Sequence, residues 1–294
     1  MVLVALTEFP EVDAVYPLVF IVYAGLIGGI LLMVAVPQFH QLLLYGKCGT
    51  NRLDTKQFRL TSWWSRLTVP KLSFTHYYVS LFGYCSAIWW TQRWWQPQTI
   101  TLYDHDYSDG FRCITIVFRL MWFHLLRRVL ECFLITKFSP TSRMNVAHYL
   151  LGMLHYLLLA VHTACSLTLL RPYANQANMT PTTSEYVLIG LFVLASLNQC
   201  WCHWHLALLV KYSIPKFWYT TSAHYTNEIE LYVIWFILAV KLAVPTPYIW
   251  ANYAIIATFV TVNLLVSLLQ TYRYYREKFG PDLGLQYAII PGFL

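Results

Sequence analysis

The sequence predicts an all-α polytopic membrane protein of seven transmembrane helices, with the N-terminus luminal and the C-terminus cytosolic. Three observations carry that expectation. Of 294 residues, 58% are hydrophobic and only 11% charged, with a mean hydropathy of +0.49, which leaves too little polar surface for a soluble domain. Seven apolar windows approach the ~20 residues that a bilayer core requires of a helix. The loop basic residues sort largely to one side of those windows.

The first window, 15–38, follows Glu8, Glu11 and Asp13, where a cleaved leader would carry basic residues, so it reads as helix one. The next four lie near 74–95, 111–135, 147–170 and 186–210. The last two, 229–244 and 248–270, are separated by Pro245 and Pro247, and one long helix broken at the prolines is the alternative reading. All belong to one membrane-embedded domain over 1–294, with 271–294 a polar, aromatic-rich cytosolic segment.

Orientation follows from charge. Lys47, Arg52, Lys56, Arg59, Arg66 and Lys71 follow helix one, Lys137 and Arg143 helix three, Lys211 and Lys216 helix five, and Arg273, Arg276 and Lys278 helix seven. The acids Glu8, Glu11, Asp13, Asp104, Asp106, Asp109 and Glu185 collect on the other side, with the sequon Asn178-Met179-Thr180. The positive-inside rule makes the basic side cytosolic, and topology rather than nucleic-acid binding explains the net charge of +7. Seven cysteines, an odd and scattered set, give neither a disulfide framework nor a zinc spacing.

Ionisable groups at bilayer depth cost roughly 2.5–3.5 kcal/mol each, which makes them functional candidates. Helix three carries Arg119, His124, Arg127, Arg128 and Glu131. An Arg127–Glu131 pair four residues apart fits a structural network, whereas Arg128 is the candidate for an anionic ligand. On helix five, Gln199 and His203 share a face and can hold a polar ligand or bond to a neighbouring helix. His148, His155 and His162 form a stripe spanning about 21 Å, too long for one metal ion, so no metal is expected. His224 and Glu228 stand at the start of helix six, where a helix N-terminus offers free amide donors. The chain shows no Gly-rich phosphate loop and no Rossmann fingerprint.

Tyr45-Gly46-Lys47, Val69-Pro70-Lys71 with Phe74-Thr75-His76-Tyr77-Tyr78, His124-Leu125-Leu126-Arg127-Arg128 with Glu131-Cys132, and Gln199 with His203 occur in order along the chain. They are followed by Tyr212 with Ile214-Pro215, His224-Tyr225 with Glu228, and Tyr275 with Lys278-Phe279 and Ile290-Pro291. Together they resemble the steroid 5α-reductase superfamily, and within it most closely the polyprenal reductase branch. The resemblance implies a seven-helix, multi-pass reductase of the endoplasmic reticulum membrane. It would use NADPH to saturate the α-isoprene double bond of a long-chain polyisoprenoid within the membrane lipid, on the route to the dolichol used in protein N-glycosylation.

Such a reaction needs a donor aimed at the carbonyl oxygen and a proton source for the α-carbon. The resemblance implies His76, Tyr77 and His124 as catalytic candidates. It implies Tyr45, Lys47, Gln199, His203, Lys211, Tyr212, His224, Glu228 and Tyr275 as cofactor-binding residues, to which the helix-three reading adds Arg128. The chain departs from the pattern at Leu125, which occupies the position of a tyrosine in the steroid enzymes, and at Tyr272, where the branch carries histidine. Reduction of an enoyl-CoA or a 3-oxo-steroid, an isoprenylcysteine-type methyl transfer, and a non-catalytic scaffold or transporter are the competing functions.

Overall fold

A computed structural model describes residues 10–36, 67–94, 107–139, 142–209, 213–217, 220–240, 247–283 and 287–288. Within these lie seven α-helices: α1 (Pro10–Ala35), α2 (Thr75–Trp94), α3 (Ser108–Leu134), α4 (Val146–Leu170), α5 (Thr183–Leu208), α6 (Ala223–Val240) and α7 (Pro247–Phe279). Each corresponds to one apolar window. Four spans are long and apolar enough to cross a membrane: Ala14–Ala35, Val146–Tyr173, Thr183–Leu208 and Tyr248–Leu283. The others fall short for a compositional reason. α2 is rich in Tyr, Trp, Ser and Thr, α3 carries six charged residues between Asp109 and Glu131, and α6 opens on His224, Asn227, Glu228 and Glu230.

Helix starts follow local chemistry. Asn145 caps α4 by accepting the Ala147 N–H at 2.8 Å, and Thr182 with Glu185 forms a reciprocal capping box on α5. α7 begins at Pro247 and packs back against α6, so these are two helices rather than one kinked helix. α7 runs nine residues past the expected boundary at 270, because nothing breaks it until Gly280, whose φ of +52° suits a helix C-terminus, and Pro281. The segment from 271 is therefore largely a helical continuation.

Two short strands modify the all-helical expectation. β1 (Thr68–Pro70) pairs antiparallel with β2 (Arg143–Asn145), with Val69 opposite Met144. This ribbon fastens the chain entering α2 to the chain entering α4.

α1 packs on α4 and α7, α2 on α3 and α4, and α6 on α3, α5 and α7, while α4 also meets α3 and α7. The core between them is aromatic, with Tyr23, Phe192, Trp235, Tyr253 and Tyr275 almost fully buried. Outward faces stay apolar: Ile21, Phe133, Leu134, Leu194 and Leu197 are exposed, as lipid contact requires. At one end the Arg112 guanidinium donates to Glu185 at 3.2 Å and Asp109 at 2.5 Å, tying the starts of α3 and α5 together. Cys85, Cys132, Cys165, Cys200 and Cys202 are free thiols, and the Cys113 thiol donates to Glu185 at 3.2 Å.

Candidate active site

Helices α2, α3, α4, α5, α6 and α7 enclose a cavity of about 360 Å³, within the size range of ligand pockets. It has two halves. The apolar half is walled by Phe74, Tyr77, Tyr78, Leu151, Tyr156, Phe259, Val260 and Leu264, and the polar half by Arg128, Gln199, His203, His224 and Glu228. Lys71 and Met144, set by the β1–β2 ribbon, also line it.

The polar half is a closed network. Arg127 and Arg128, consecutive on α3, both pair with Glu131. Arg127 also donates to Gln199 Oε1, while Gln199 Nε2 donates to Glu228 at 2.5 Å and to the His224 carbonyl at 3.1 Å. Both ends of the Gln199 amide are thus committed to holding Glu228 in the wall. Arg128 donates to the Tyr78 hydroxyl oxygen at 2.9 Å, with its Cζ 4.6 Å from that ring's centre. His203 Nδ1 lies 2.6 Å from the Arg128 guanidinium and 2.7 Å from the Glu131 carboxylate, and the ring meets His224 edge-on. Two arginines and two glutamates balance in charge, and low dielectric around them strengthens each contact.

The expected residues separate into three groups. Tyr77, Arg128, Gln199, His203, His224 and Glu228 line one cavity. His76, His124 and Tyr275 do not. His76 bonds to Tyr149 at 3.0 Å at an exposed position. His124 is buried behind Arg127, its Nε2 3.6 Å from Glu228 and without a hydrogen-bond partner among the described residues. Tyr275 is buried against Phe279 on α7. Tyr45, Lys47, Lys211 and Tyr212 lie outside the described residues. On the histidine stripe, His155 reaches the cavity while His162 is buried against Tyr16 and Tyr253; Arg119 is exposed.

Sequence reasoning passed over Tyr78, Tyr156 and Tyr232. For Tyr78 a signal existed: Phe74, Tyr77, Tyr78, Leu81 and Cys85 repeat at helical spacing, which puts both tyrosines on the inner face and His76 off it.

The donor set beside the polar half fits a nicotinamide cofactor. Thr220, Thr221, Ser222 and Thr226, around the N-terminus of α6, hold buried hydroxyl oxygens with no hydrogen-bond partner among the described residues, next to a carboxylate, Glu228, on the cavity wall. A carboxamide needs both an acceptor and donors, and phosphate or ribose oxygens can use the remainder.

No family model matches the chain. It is 30% identical over 264 residues to the polyprenal reductase of Saccharomyces cerevisiae, covering 88% of each chain. It is 26% identical over 282 residues to that of Xenopus tropicalis, covering 86% of this chain and 87% of the relative. To polyprenal reductase 1 of Arabidopsis thaliana it is 25% identical over 274 residues, covering 77% of this chain and 82% of the relative.

Proposed function

The chain belongs to the polyprenal reductase family, and from that premise we propose that it reduces the α-isoprene double bond of polyprenal to give dolichal, with NADPH as reductant, in the endoplasmic reticulum membrane. The observation that carries this reading is the 30% identity sustained over 88% of both chains. The two-sided cavity supports it: an aromatic half suits an isoprenoid end and a polar half suits a cofactor.

When bound, the cofactor supplies a hydride to the β-carbon of the unsaturated aldehyde. His224, Glu228 and the hydroxyls of Thr221 and Ser222 would hold its nicotinamide end, with Gln199 keeping Glu228 in place. Tyr45, Lys47, Lys211 and Tyr212 would serve its phosphate-bearing part. Tyr78 is suited to polarise the aldehyde, because its oxygen accepts an N–H from Arg128 and its O–H, shared with Tyr156 on the cavity wall, can turn to a carbonyl oxygen in the cavity. Arg128 then acts through Tyr78, its charge already balanced by Glu131. Phe259, Val260 and Leu264 exclude water around the double bond. Seven spans with a cytosolic C-terminus would open the cofactor side to the cytosol, which the basic loops support.

The test is turnover in detergent. With polyprenal the purified chain is expected to consume NADPH and to return a lipid heavier by two hydrogens. No reaction with polyprenal alongside turnover of an enoyl-CoA or a 3-oxo-Δ4-steroid would overturn the assignment.

A further inference from the structure

Tyr232 lies one turn beyond Glu228 on the same face of α6, about 6 Å along the axis. Both line the cavity, so Tyr232 stands where the polar half gives way to the apolar one. Its hydroxyl oxygen is 3.0 Å from His155 Nε2. The other ring nitrogen of His155, Nδ1, is 2.9 Å from the Tyr23 hydroxyl. Helices α1, α4 and α6 thereby contribute one member each to a buried row, Tyr23–His155–Tyr232.

The row has a direction. Tyr23 has a single hydroxyl proton, which it can place on Nδ1 or on the His155 carbonyl, 3.0 Å away. When Nδ1 receives it, the ring proton sits on Nε2 and is donated to the Tyr232 oxygen. Tyr156 on α4 also hydrogen-bonds Tyr232; with Tyr156 as donor there, the Tyr232 oxygen accepts from both His155 and Tyr156, and its own O–H is left for whatever occupies the cavity. The neighbouring phenols are placed differently. Tyr77 donates to the His148 carbonyl at 3.3 Å, Tyr78 accepts from Arg128 and is assigned to the carbonyl oxygen, and Tyr156 bridges Tyr78 and Tyr232.

We infer that Tyr232 is the proton donor of the reduction, oriented by His155, which Tyr23 holds in turn; the inference rests on the polyprenal-reducing function proposed above. The β-carbon accepts the hydride of the nicotinamide cofactor and forms a new C–H bond. The π pair shifts to the α-carbon, which forms the second C–H bond with the Tyr232 proton as the O–H bond breaks and its electron pair stays on the phenolate oxygen. His155 Nε2–H hydrogen-bonds that phenolate, and a proton from water restores the phenol once product leaves. Hydride and proton together saturate the double bond. Tyr232 is the catalytic residue of this step; His155 and Tyr23 are positioning residues.

Four variants test it, with steady-state turnover of polyprenal and NADPH binding followed by tryptophan fluorescence. Tyr232→Phe is expected to lower kcat by about 10²–10⁴, the range of general-acid contributions, with KM and NADPH affinity unchanged. His155→Leu is expected to lower kcat roughly 10–100-fold. His155→Gln, whose amide N–H can take the place of Nε2–H, is expected to recover about tenfold of that loss. Tyr253→Phe, the control, removes a buried phenol outside the cavity that bonds to Thr163, and is expected to keep the wild-type kcat. Tyr232→Phe at wild-type kcat, equal turnover in the two His155 variants, or a loss confined to Tyr253→Phe overturns the assignment. Should Tyr232→Phe fail to fold, the His155 pair decides it. A wild-type chain inactive on polyprenal overturns the proposed function and this donor with it, whereas an active wild type with an active Tyr232→Phe overturns the donor alone.

Discussion

Tyr77 and Tyr78 are neighbours in sequence that meet different chemistry. Tyr77 spends its proton on a main-chain carbonyl, while Tyr78 accepts from a guanidinium and shares its hydroxyl with Tyr156 on the cavity wall. Tyr78→Phe is therefore expected to lower kcat about 10²–10³-fold, or roughly 2.7–4 kcal/mol of barrier, the range for losing one oxyanion donor; a kcat unchanged in the NADPH-oxidation assay would remove Tyr78 from the chemistry. Gly152 gives a second test. A Cβ there would stand 2.6 Å from Cζ and 2.9 Å from Cε2 of Tyr77. That ring is packed against Phe74, Tyr149 and Tyr156, so it yields only by swinging into the cavity. Overpacking of this kind costs about 1–3 kcal/mol, and Gly152→Ala is expected to raise the polyprenal KM about tenfold or more while NADPH affinity holds. Residue legibility followed charge. Arg128, Gln199, His203, His224 and Glu228 stood out because polar groups are anomalous in apolar windows, whereas Tyr232 and Tyr156 read as packing until His155 and Tyr78 are brought beside them by other helices. His76 and His124 are close in sequence to cavity-lining residues but turned away from the cavity, since one position along a helix turns a side chain by about 100°.

Each helix was legible as an apolar window because length and hydropathy are properties of the segment alone. What escaped depended on partners. Three-residue strands have no room for an alternating pattern, so β1 and β2 exist only through their mutual register. The end of α7 escaped because amphipathic residues 271–279 continue a helix as readily as apolar ones, and Gly280 with Pro281 is the real stop. The Arg112–Glu185 junction belongs to this scale. Glu185 is 1% exposed, accepts from the Thr182 N–H at 2.7 Å in the capping box, and binds a guanidinium from another helix. Removing one partner of a buried pair leaves the other uncompensated, at a cost of about 3–5 kcal/mol. Glu185→Ala is expected to lower the melting temperature in detergent markedly without changing NADPH affinity at the far cavity. A melting curve identical to wild type would show the junction to be energetically idle.

Across the whole molecule, the charge sorting of the loops predicts a sidedness that chain packing leaves open. In sealed microsomes a tag after Phe279 is expected to be removed by external protease and a tag before Pro10 to be protected; the reverse pattern would invert the molecule and close the proposed cofactor route from the cytosol. The balanced cluster in the cavity wall bears on how such a chain is made. α3 brings Arg127, Arg128 and Glu131, one cation in excess, and Glu228 arrives only with α6, a hundred residues later in synthesis. A lone helix with that excess is poorly soluble in lipid. On the seven-span reading proposed above, a chain truncated before α6 would therefore present α3 to the bilayer without the carboxylate that balances it.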